Sequence, residues 1–162
     1  QLSYVLNELR TNPNSRRIIM TTYNPCQAKD GVLFPCHGIS IQFNVTETED
    51  SLIVNISQNQ RSADYFLGLP FNIASYSLLT MMIAQICGLE AGEFVWTGGD
   101  THLYLNHLEQ AQTQLSRKND IHPMPTMKIN PEVKDIFSFE YSDFTLENYN
   151  AHPSIKAPVA VQ

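Results

Sequence analysis

Apolar residues recur along this chain with two different periods, which divide it into predicted helices and strands. In residues 2–9 they stand three and four positions apart, as on one face of a helix. From His37 to Val45 the odd positions are mainly apolar, which predicts a strand with one buried face. Residues 52–56 repeat this alternation after the polar stretch 46–51, so the two strands predict an antiparallel hairpin.

The clearest helical pattern covers residues 73–87, where apolar residues surround most of the circumference. This pattern predicts a long, buried helix with Gly88 as its C-cap residue. Residues 68–70, Gly-Leu-Pro, are expected to interrupt the chain before it. No apolar run reaches the ~18–20 residues that span a bilayer, so we expect no contact with a membrane.

The remaining segments predict shorter elements in an α+β (layered α/β) domain with a mainly antiparallel or mixed sheet. The sequence shows no internal repeat, so residues 1–162 are expected to form a single domain. The expected elements are a strand over 16–23, a strand over 93–97 followed by a turn at Gly98 and Gly99, a polar helix over 107–117 with Leu108 and Leu115 facing inward, and a strand over 126–129.

Composition narrows the class of protein. A formal net charge of −6 argues against a broad DNA-binding surface, which requires clustered Lys and Arg. Cys26, Cys36 and Cys87 are an odd number at irregular spacing and include no C-x-x-C pair, so neither a disulfide framework nor a metal centre is expected. Reduced thiols are typical of a cytoplasmic protein.

Two arginine-containing segments could recognise a phosphate. In Arg61-Ser62-Ala63-Asp64 a guanidinium stands beside a hydroxyl, and both can donate to phosphate oxygens. A surface ion pair between Arg61 and Asp64 is the alternative. Arg16 and Arg17 open a predicted strand, where neighbouring side chains point to opposite faces, so an ordinary solvated pair is an alternative there.

Further residues offer chemistry for a nucleophile, a sugar and a base. Cys36, between Pro35 and His37, is a candidate nucleophile, although composition alone favours a buried structural cysteine. The segment His102-Leu103-Tyr104 could bind a sugar hydroxyl or form the edge of a core. Asn72 is either a helix N-cap or an amide that pairs with O4 and N3 of uracil.

Taken in order, these segments resemble thymidylate synthase over nearly the whole chain. The longest matching string, at 67–76, is highly specific. The strings are SRRII at 15–19, PCH at 35–37, QRSAD at 60–64, LGLPFNIASY at 67–76, GDTHLY at 99–104 and HPSIKAPVAV at 152–161.

The resemblance implies the methylation of dUMP by 5,10-methylenetetrahydrofolate, a co-substrate, without a metal. In this family's pattern Cys36 attacks C6 of the pyrimidine. The substrate-binding residues that the resemblance implies are Arg61, Ser62, Ala63 and Asp64 beside the phosphate and base, Asn72 on uracil, and His102, Leu103 and Tyr104 at the ribose. Asp64 and Ala160 are implied at the folate, and Arg16 and Arg17 at the phosphate bound by the other subunit of a homodimer.

The chain departs from the family's pattern in three ways. The family has a preceding segment with further site residues, so we expect this chain to be a C-terminal portion with the N-terminal part missing, and to be inactive alone. Gln42 comes one residue later after Cys36 than in the family, which predicts a bulge between Gly38 and Gln42. Asn59 stands where an aromatic residue is usual.

Two other functions remain compatible with the sequence. One is a deoxyuridylate hydroxymethylase, which adds water where thymidylate synthase transfers a hydride. The other is a truncated, non-catalytic fragment that binds a nucleotide or a partner protein.

Overall fold

The computed structural model describes residues 1–27, 30 and 38–159. Its mixture of helices with a mixed sheet confirms the expected α+β class. The helices are α1 (Leu2–Thr11), α2 (Gly68–Cys87) and α3 (Leu108–Ser116), and the strands are β1 (Ile19–Met20), β2 (Ser40–Glu47), β3 (Leu52–Asp64), β4 (Glu90–His102), β5 (Thr126–Ile129) and β6 (Phe144–Glu147).

Four strands form the main sheet, in the order β1-β2-β3-β4. Strands β2 and β3 form the antiparallel hairpin that their alternating patterns predict, from the pair Ser40 and Asn59 to the pair Glu47 and Leu52. Strands β3 and β4 run parallel, and α2 forms the crossover between them, as parallel neighbours require. Strands β5 and β6 form a separate antiparallel pair.

Helices α1 and α2 pack against the main sheet and enclose its core. The core side chains come from the apolar positions of the helical and alternating patterns, and burial of each contributes ~1.5–3 kcal/mol. The largest fully buried apolar side chains are Phe43, Leu9, Ile18, Ile41, Ile56, Ile83, Val5 and Val54.

Helix α2 is longer and less buried than predicted. It begins at Gly68, so the expected break before residue 73 is wrong: proline is tolerated in the first helical turn, where its missing N–H has no intrahelical acceptor. Gly88 ends the helix in the left-handed conformation, as predicted. Complete burial is not confirmed, because the fully buried residues of α2 lie on one side while Phe71 is 73% exposed.

By length and composition alone, α2 is long and apolar enough to cross a membrane, which no apolar run in the sequence predicted. A single helix of this kind is weak evidence, because the core helix of a soluble protein meets the same criteria. Here α2 packs against β3 and β4.

Strand β4 is also longer than predicted. It runs without interruption through Gly98 and Gly99, where the sequence predicted a turn. Gly99 permits a close approach of β3, because a Cβ atom there would lie 2.7 Å from the carbonyl oxygen of Arg61, whereas a Cβ atom on Gly98 would meet the side chains of Trp96 and Thr101 in β4 itself. Neither glycine reverses the chain, and the role of Gly99 is close packing of the two strands.

The predicted strand over residues 16–23 is wrong at both ends. Only Ile19–Met20 pairs with β2, while Arg16 and Arg17 lie in a turn before it. The hydroxyl of Ser15 accepts a hydrogen bond from the backbone N–H of Arg17, at 3.2 Å, and this local bond competes with strand pairing. The side chains of the two arginines therefore need not point in opposite directions, as they would in a strand.

Helix α3 does not bury the leucines expected to face inward. Leu108 is 47% and Leu115 is 67% exposed, whereas His107, which precedes the helix, is fully buried. The prediction is wrong because this short helix contacts the C-terminal segment through polar side chains. Gln110, for example, donates from Nε2 to the carbonyl oxygen of Lys156, at 3.4 Å.

The bulge expected between Gly38 and Gln42 is absent from the strand itself. From Ser40 onward, β2 pairs with β3 without interruption. The irregular backbone precedes the strand, at Gly38, whose φ of 59° lies in the left-handed region. A register shift does occur in the sheet, but between Val54 and Ile56 where β3 pairs with β4.

Substituting Gly38 should destabilise the protein more than substituting Gly88. Both have positive φ, 59° and 69°, so alanine costs ~1–2 kcal/mol at each. A Cβ atom meets nothing within 4 Å at Gly88, but at Gly38 it would lie 2.6 Å from the Tyr76 hydroxyl and 2.8 Å from Ile41 Cδ1. We expect Gly38→Ala to lower the free energy of unfolding, measured in urea, by a further ~1–3 kcal/mol. Equal losses in the two variants would contradict the close packing at Gly38.

Candidate active site

Most of the polar residues singled out by the sequence lie where β3 and β4 end side by side. Because the strands run parallel, their carboxyl ends share one edge of the sheet, where ligands bind in many open sheets of parallel strands. Asp64 pairs with His102, and the N–H of Tyr65 donates to the His102 carbonyl oxygen at 2.8 Å. Segments 61–64 and 100–104 are therefore neighbours in space.

The side chains at the end of β3 differ in exposure. Arg61 is exposed, Ser62 is half-buried, and Ala63 is 2% exposed. Arg61 and Asp64 are three positions apart in one strand, so their side chains leave opposite faces of the sheet. This geometry argues against the surface ion pair that the sequence left open.

The carboxylate of Asp64 supports the start of α2. Its Oδ1 accepts hydrogen bonds from the backbone N–H groups of Phe66, at 3.1 Å, and Leu67, at 3.4 Å. These donors precede the helix and would otherwise lack acceptors there. Both bonds use Oδ1, and within the described parts of the chain Oδ2 accepts no hydrogen bond.

Aromatic and imidazole rings cluster at the end of β4. The rings of His102 and Tyr104 meet edge to face, with centroids 5.0 Å apart, and Tyr104 meets His107 in the same manner at 5.7 Å. His102 Nδ1 lies 3.5 Å from a carboxylate oxygen of Asp100. The predicted pair His102 and Tyr104 is thus in contact, with Leu103 between them 37% exposed.

A chain of three hydrogen-bonded side chains connects β4 to α2 through β3. Trp96 Nε1 donates to Gln60 Oε1 at 3.0 Å, and Gln60 Nε2 donates to the Ser62 carbonyl oxygen and to Asn72 Oδ1, both at 2.9 Å. An indole N–H can only donate, so it fixes which end of the Gln60 amide faces it. Because Gln60 donates to Asn72, Asn72 must turn its oxygen towards Gln60. The amide of Asn72 therefore has one orientation.

Asn72 is not the N-cap of α2. It lies within the helix, which begins at Gly68, so this alternative from the sequence is wrong. Asn72 lines a cavity of about 630 Å³ with residues of β1, β2 and α2, among them Met20, Ile41 and Tyr76. This volume is within the range of small-molecule sites.

Arg16 and Arg17 are remote from this group within one chain. Ile19 lies level with Gln42, and Gln42 lies level with Ser57 of β3. The end of β3 is several residues beyond Ser57, at ~3.3 Å per residue, and Arg16 and Arg17 precede Ile19 on the opposite side. Both arginines are exposed.

Two of the predicted site residues, Cys36 and Ala160, lie outside the described residues. The other cysteines carry no sign of catalytic chemistry. Burial raises the pKa of the Cys87 thiol, and the nearby Arg10 guanidinium only partly offsets this effect. A raised pKa leaves less thiolate, the nucleophilic form, so Cys87 fits the structural role expected for it. Cys26 is exposed in a short turn.

The sequence reasoning did not identify Gln60 and Trp96 as supports of Asn72, or His107 as a buried polar group. The sequence did contain a signal for Gln60, because the alternation of β3 places it on the same buried face as Ile56. A buried amide on such a face requires hydrogen-bond partners. For His107 the sequence offers no comparable signal, since Nε2 meets the carbonyl oxygen of Pro158, at 2.7 Å, a residue 51 positions away.

A comparison with protein families agrees with the resemblance carried by the sequence strings. The family model described as thymidylate synthase matches residues 1–161, essentially the whole chain. Proteins of this family bind dUMP and a folate, and they are generally dimeric. The chain belongs to the thymidylate synthase family.

Proposed function

We propose that the protein to which this chain belongs is a thymidylate synthase, which converts dUMP to dTMP with 5,10-methylenetetrahydrofolate. The observation that carries the proposal is the hydrogen-bond chain from Trp96 through Gln60 to Asn72. Uracil presents an acceptor at O4 and a donor at N3. An amide held with one orientation can donate from Nδ2 to O4 and accept from N3–H on the second lone pair of Oδ1.

Cys36 supplies the nucleophile in this proposal. Its thiolate adds to C6 of dUMP, and the electrons of the C5–C6 double bond move towards C5 and O4. A donor from Asn72 to O4 stabilises the negative charge that develops there, which is where catalysis gains most from a fixed hydrogen bond. C5 then attacks the methylene carbon of the folate. Loss of the C5 proton, hydride transfer from the folate and release of Cys36 give dTMP and dihydrofolate.

The other residues at the ends of β3 and β4 bind the two substrates. Ser62 donates to the phosphate, and Arg61, whose side chain leaves the opposite face of β3, reaches the phosphate around the end of the strand. His102 and Tyr104 bind the ribose hydroxyl, consistent with the contact between their rings. Asp64 binds the folate ring through Oδ2, because Oδ1 already accepts from the backbone before α2. Ala160 belongs to the C-terminal segment that closes over the folate.

The proposal includes a homodimer with shared sites. Arg16 and Arg17 are exposed and lie far along the sheet from Ser62 of their own chain. A phosphate held at Ser62 can meet these arginines only if they come from a second subunit. Their position in a turn, and not in a strand, allows both side chains to face the same ligand.

The reaction products test the proposed activity directly. The full-length protein, given dUMP and methylenetetrahydrofolate, should form dTMP and dihydrofolate in equal amounts, measured by separation of the nucleotides and folates. Formation of hydroxymethyl-dUMP with tetrahydrofolate would instead identify a hydroxymethylase. Binding of dUMP without any product would identify a non-catalytic protein.

Cys36→Ser should lower turnover at least ~10³-fold, because a hydroxyl is far less ionised than a thiol at neutral pH. The wild-type protein should form a covalent adduct with 5-fluoro-dUMP and methylenetetrahydrofolate, detected by mass spectrometry under denaturing conditions. Cys26→Ser, which removes an exposed thiol, is the matched control and should form the same adduct. An adduct that survives in Cys36→Ser would exclude this cysteine as the nucleophile.

Gln60→Glu should change which pyrimidine the site prefers. A carboxylate can only accept, so Asn72 would turn Nδ2 towards it and present oxygen where uracil O4 must bind. Cytosine carries a donor at that position. We expect dUMP to bind at least ~10-fold more weakly and the ratio of dCMP to dUMP affinity to rise, at mildly alkaline pH.

Gln60→Met provides the control for this experiment. It should weaken dUMP binding without a gain for dCMP, since it removes the bond to Asn72 without reversing it. The same affinity ratio in wild type and Gln60→Glu would show that Gln60 does not set the orientation of Asn72.

Mixing two inactive variants should restore activity if the site is shared. In a heterodimer of Cys36→Ser with the double variant Arg16→Ala/Arg17→Ala, one of the two sites has both its cysteine and its arginines. Random exchange of subunits then predicts about a quarter of the wild-type activity. Mixing Cys36→Ser with Arg61→Ala, both within one subunit's site, should restore none. Equal recovery in both mixtures would contradict the assignment of Arg16 and Arg17 to the partner's site.

A further inference from the structure

Two histidines and an aspartate from distant parts of the sequence meet at the surface. Asp120 and His122 lie in the connection between α3 and β5, and His152 lies in the segment after β6. A potential ligand atom of each lies within 4.8 Å of those of the other two. The imidazole rings of His122 and His152 stack, with centroids 4.2 Å apart and an angle of 28° between the planes.

The hydrogen bonds of the two imidazoles fix which nitrogen of each carries the proton. His122 Nδ1 lies 2.6 Å from the carbonyl oxygen of Asn150, and His152 Nε2 lies 2.7 Å from the carbonyl oxygen of Asp120. A carbonyl oxygen can only accept, so these nitrogens donate. In the neutral rings, His122 Nε2 and His152 Nδ1 therefore keep their lone pairs.

This arrangement is the one that metal-binding histidines adopt. A ligating imidazole usually donates its other N–H to a backbone carbonyl or a carboxylate, which orients the ring and raises its basicity. Here both rings have such a carbonyl partner. The Asp120 carboxylate lies 3.8 Å from His152 Nε2, the nitrogen that donates, so an ion bound at His152 Nδ1 requires this carboxylate to turn towards it. The same carbonyl bonds that fix the tautomers leave one free nitrogen on each ring for an ion.

We propose that Asp120, His122 and His152 form a binding site for a divalent transition metal of the zinc class. Two imidazole nitrogens and one carboxylate oxygen suit Zn²⁺, Co²⁺ or Ni²⁺, and they leave a fourth position for water. Metal bonds of ~2.1 Å place tetrahedral ligands ~3.4 Å apart, so the free nitrogens and the carboxylate must converge on the ion and the stacked rings must splay. None of the three residues lies in a helix or strand, which makes this adjustment possible.

The site would attach the C-terminal segment to the body of the protein. Other side chains already hold this segment by its backbone: Arg117 donates to the Pro153 carbonyl oxygen at 2.8 Å, and His107 contacts that of Pro158 at 2.7 Å. A metal ion between His122 and His152 would add a connection through side chains, one from the α3–β5 connection and one from the C-terminal segment. The proposal concerns binding only and does not depend on the proposed enzymatic activity.

Titration of the full-length, tag-free protein with Co²⁺ tests the site. We expect one ion per chain with micromolar affinity by calorimetry, and a visible spectrum of tetrahedral or five-coordinate cobalt. Thiolate-to-cobalt charge transfer in the near ultraviolet should be absent, which separates this site from the cysteines. Hydrogen exchange of residues 150–158 should slow when the ion binds.

Variants distinguish the proposed ligands from other surface groups. His122→Gln and His152→Gln should each weaken Co²⁺ binding at least 10-fold, and Asp120→Asn several-fold. Glu132→Gln, which removes an exposed carboxylate elsewhere, is the matched control and should bind as wild type. All four positions are partly or fully exposed, so circular dichroism should show folded variants. No saturable binding by the wild type, or equal affinity in all variants, would overturn the proposal.

Discussion

The parallel pairing of β3 with β4 is the constraint on which the rest of this structure depends. Two strands of 13 residues each lie side by side, and a crossover helix must connect the end of one to the start of the other. That helix, α2, supplies a large part of the core as well as Asn72. The register of the same pair brings Asp64 level with His102. A slip of one residue would turn Arg61 and Ser62 to the opposite faces, so the core and the candidate site share one determinant.

Burying polar side chains beside this pairing costs stability. Gln58 and Gln60 both occupy the face that is apolar earlier in β3, and they are 0% and 2% exposed. The hydrogen bonds of Gln60 to Trp96, Ser62 and Asn72 offset the free-energy cost of burying its amide. Both amide atoms of Gln58 lack a hydrogen-bond partner within the described part of the chain, and each such group costs ~1–3 kcal/mol. Burial of Gln58, midway along β3, therefore lowers the stability of the fold without a compensating hydrogen bond in the described residues.

The sequence predicted those features that depend on local periodicity. Alternation predicted the hairpin of β2 and β3, and helical spacing predicted α1 and most of α2. Both patterns arise because one face of each element packs against the core. The wrong predictions are those in which a residue that usually interrupts helices or strands is accommodated by its surroundings in the fold. Pro70 lies in the first turn of α2, where its missing N–H costs nothing, and Gly99 lies within a strand because β3 is too close for a side chain.

The candidate site was predicted in part, and from a different kind of information. Resemblance to the family implied roles for Arg61, Asn72, His102 and Tyr104, which stay predictions, whereas periodicity alone would have left each with a structural alternative. The orientation of Asn72 could not be predicted, because it depends on Trp96, which reaches Gln60 across two neighbouring strands. Long-range hydrogen bonds of this kind leave no pattern in the sequence near either partner.

The C-terminal segment is attached to the rest of the chain mainly through its own carbonyl groups. Gln110, Arg117, His107 and His122 all reach main-chain oxygens of residues 150–158. Every amino acid supplies such an oxygen, so these four bonds place no demand on the side chains of the segment, in contrast to the bond from His152 Nε2 to the Asp120 carbonyl oxygen. A substitution at Asn150, Pro153, Lys156 or Pro158 leaves the accepting carbonyl oxygen in place, whereas a change of His122, Arg117, Gln110 or His107 removes the hydrogen bond. For these four contacts, the side chains that determine the position of the segment therefore lie outside it.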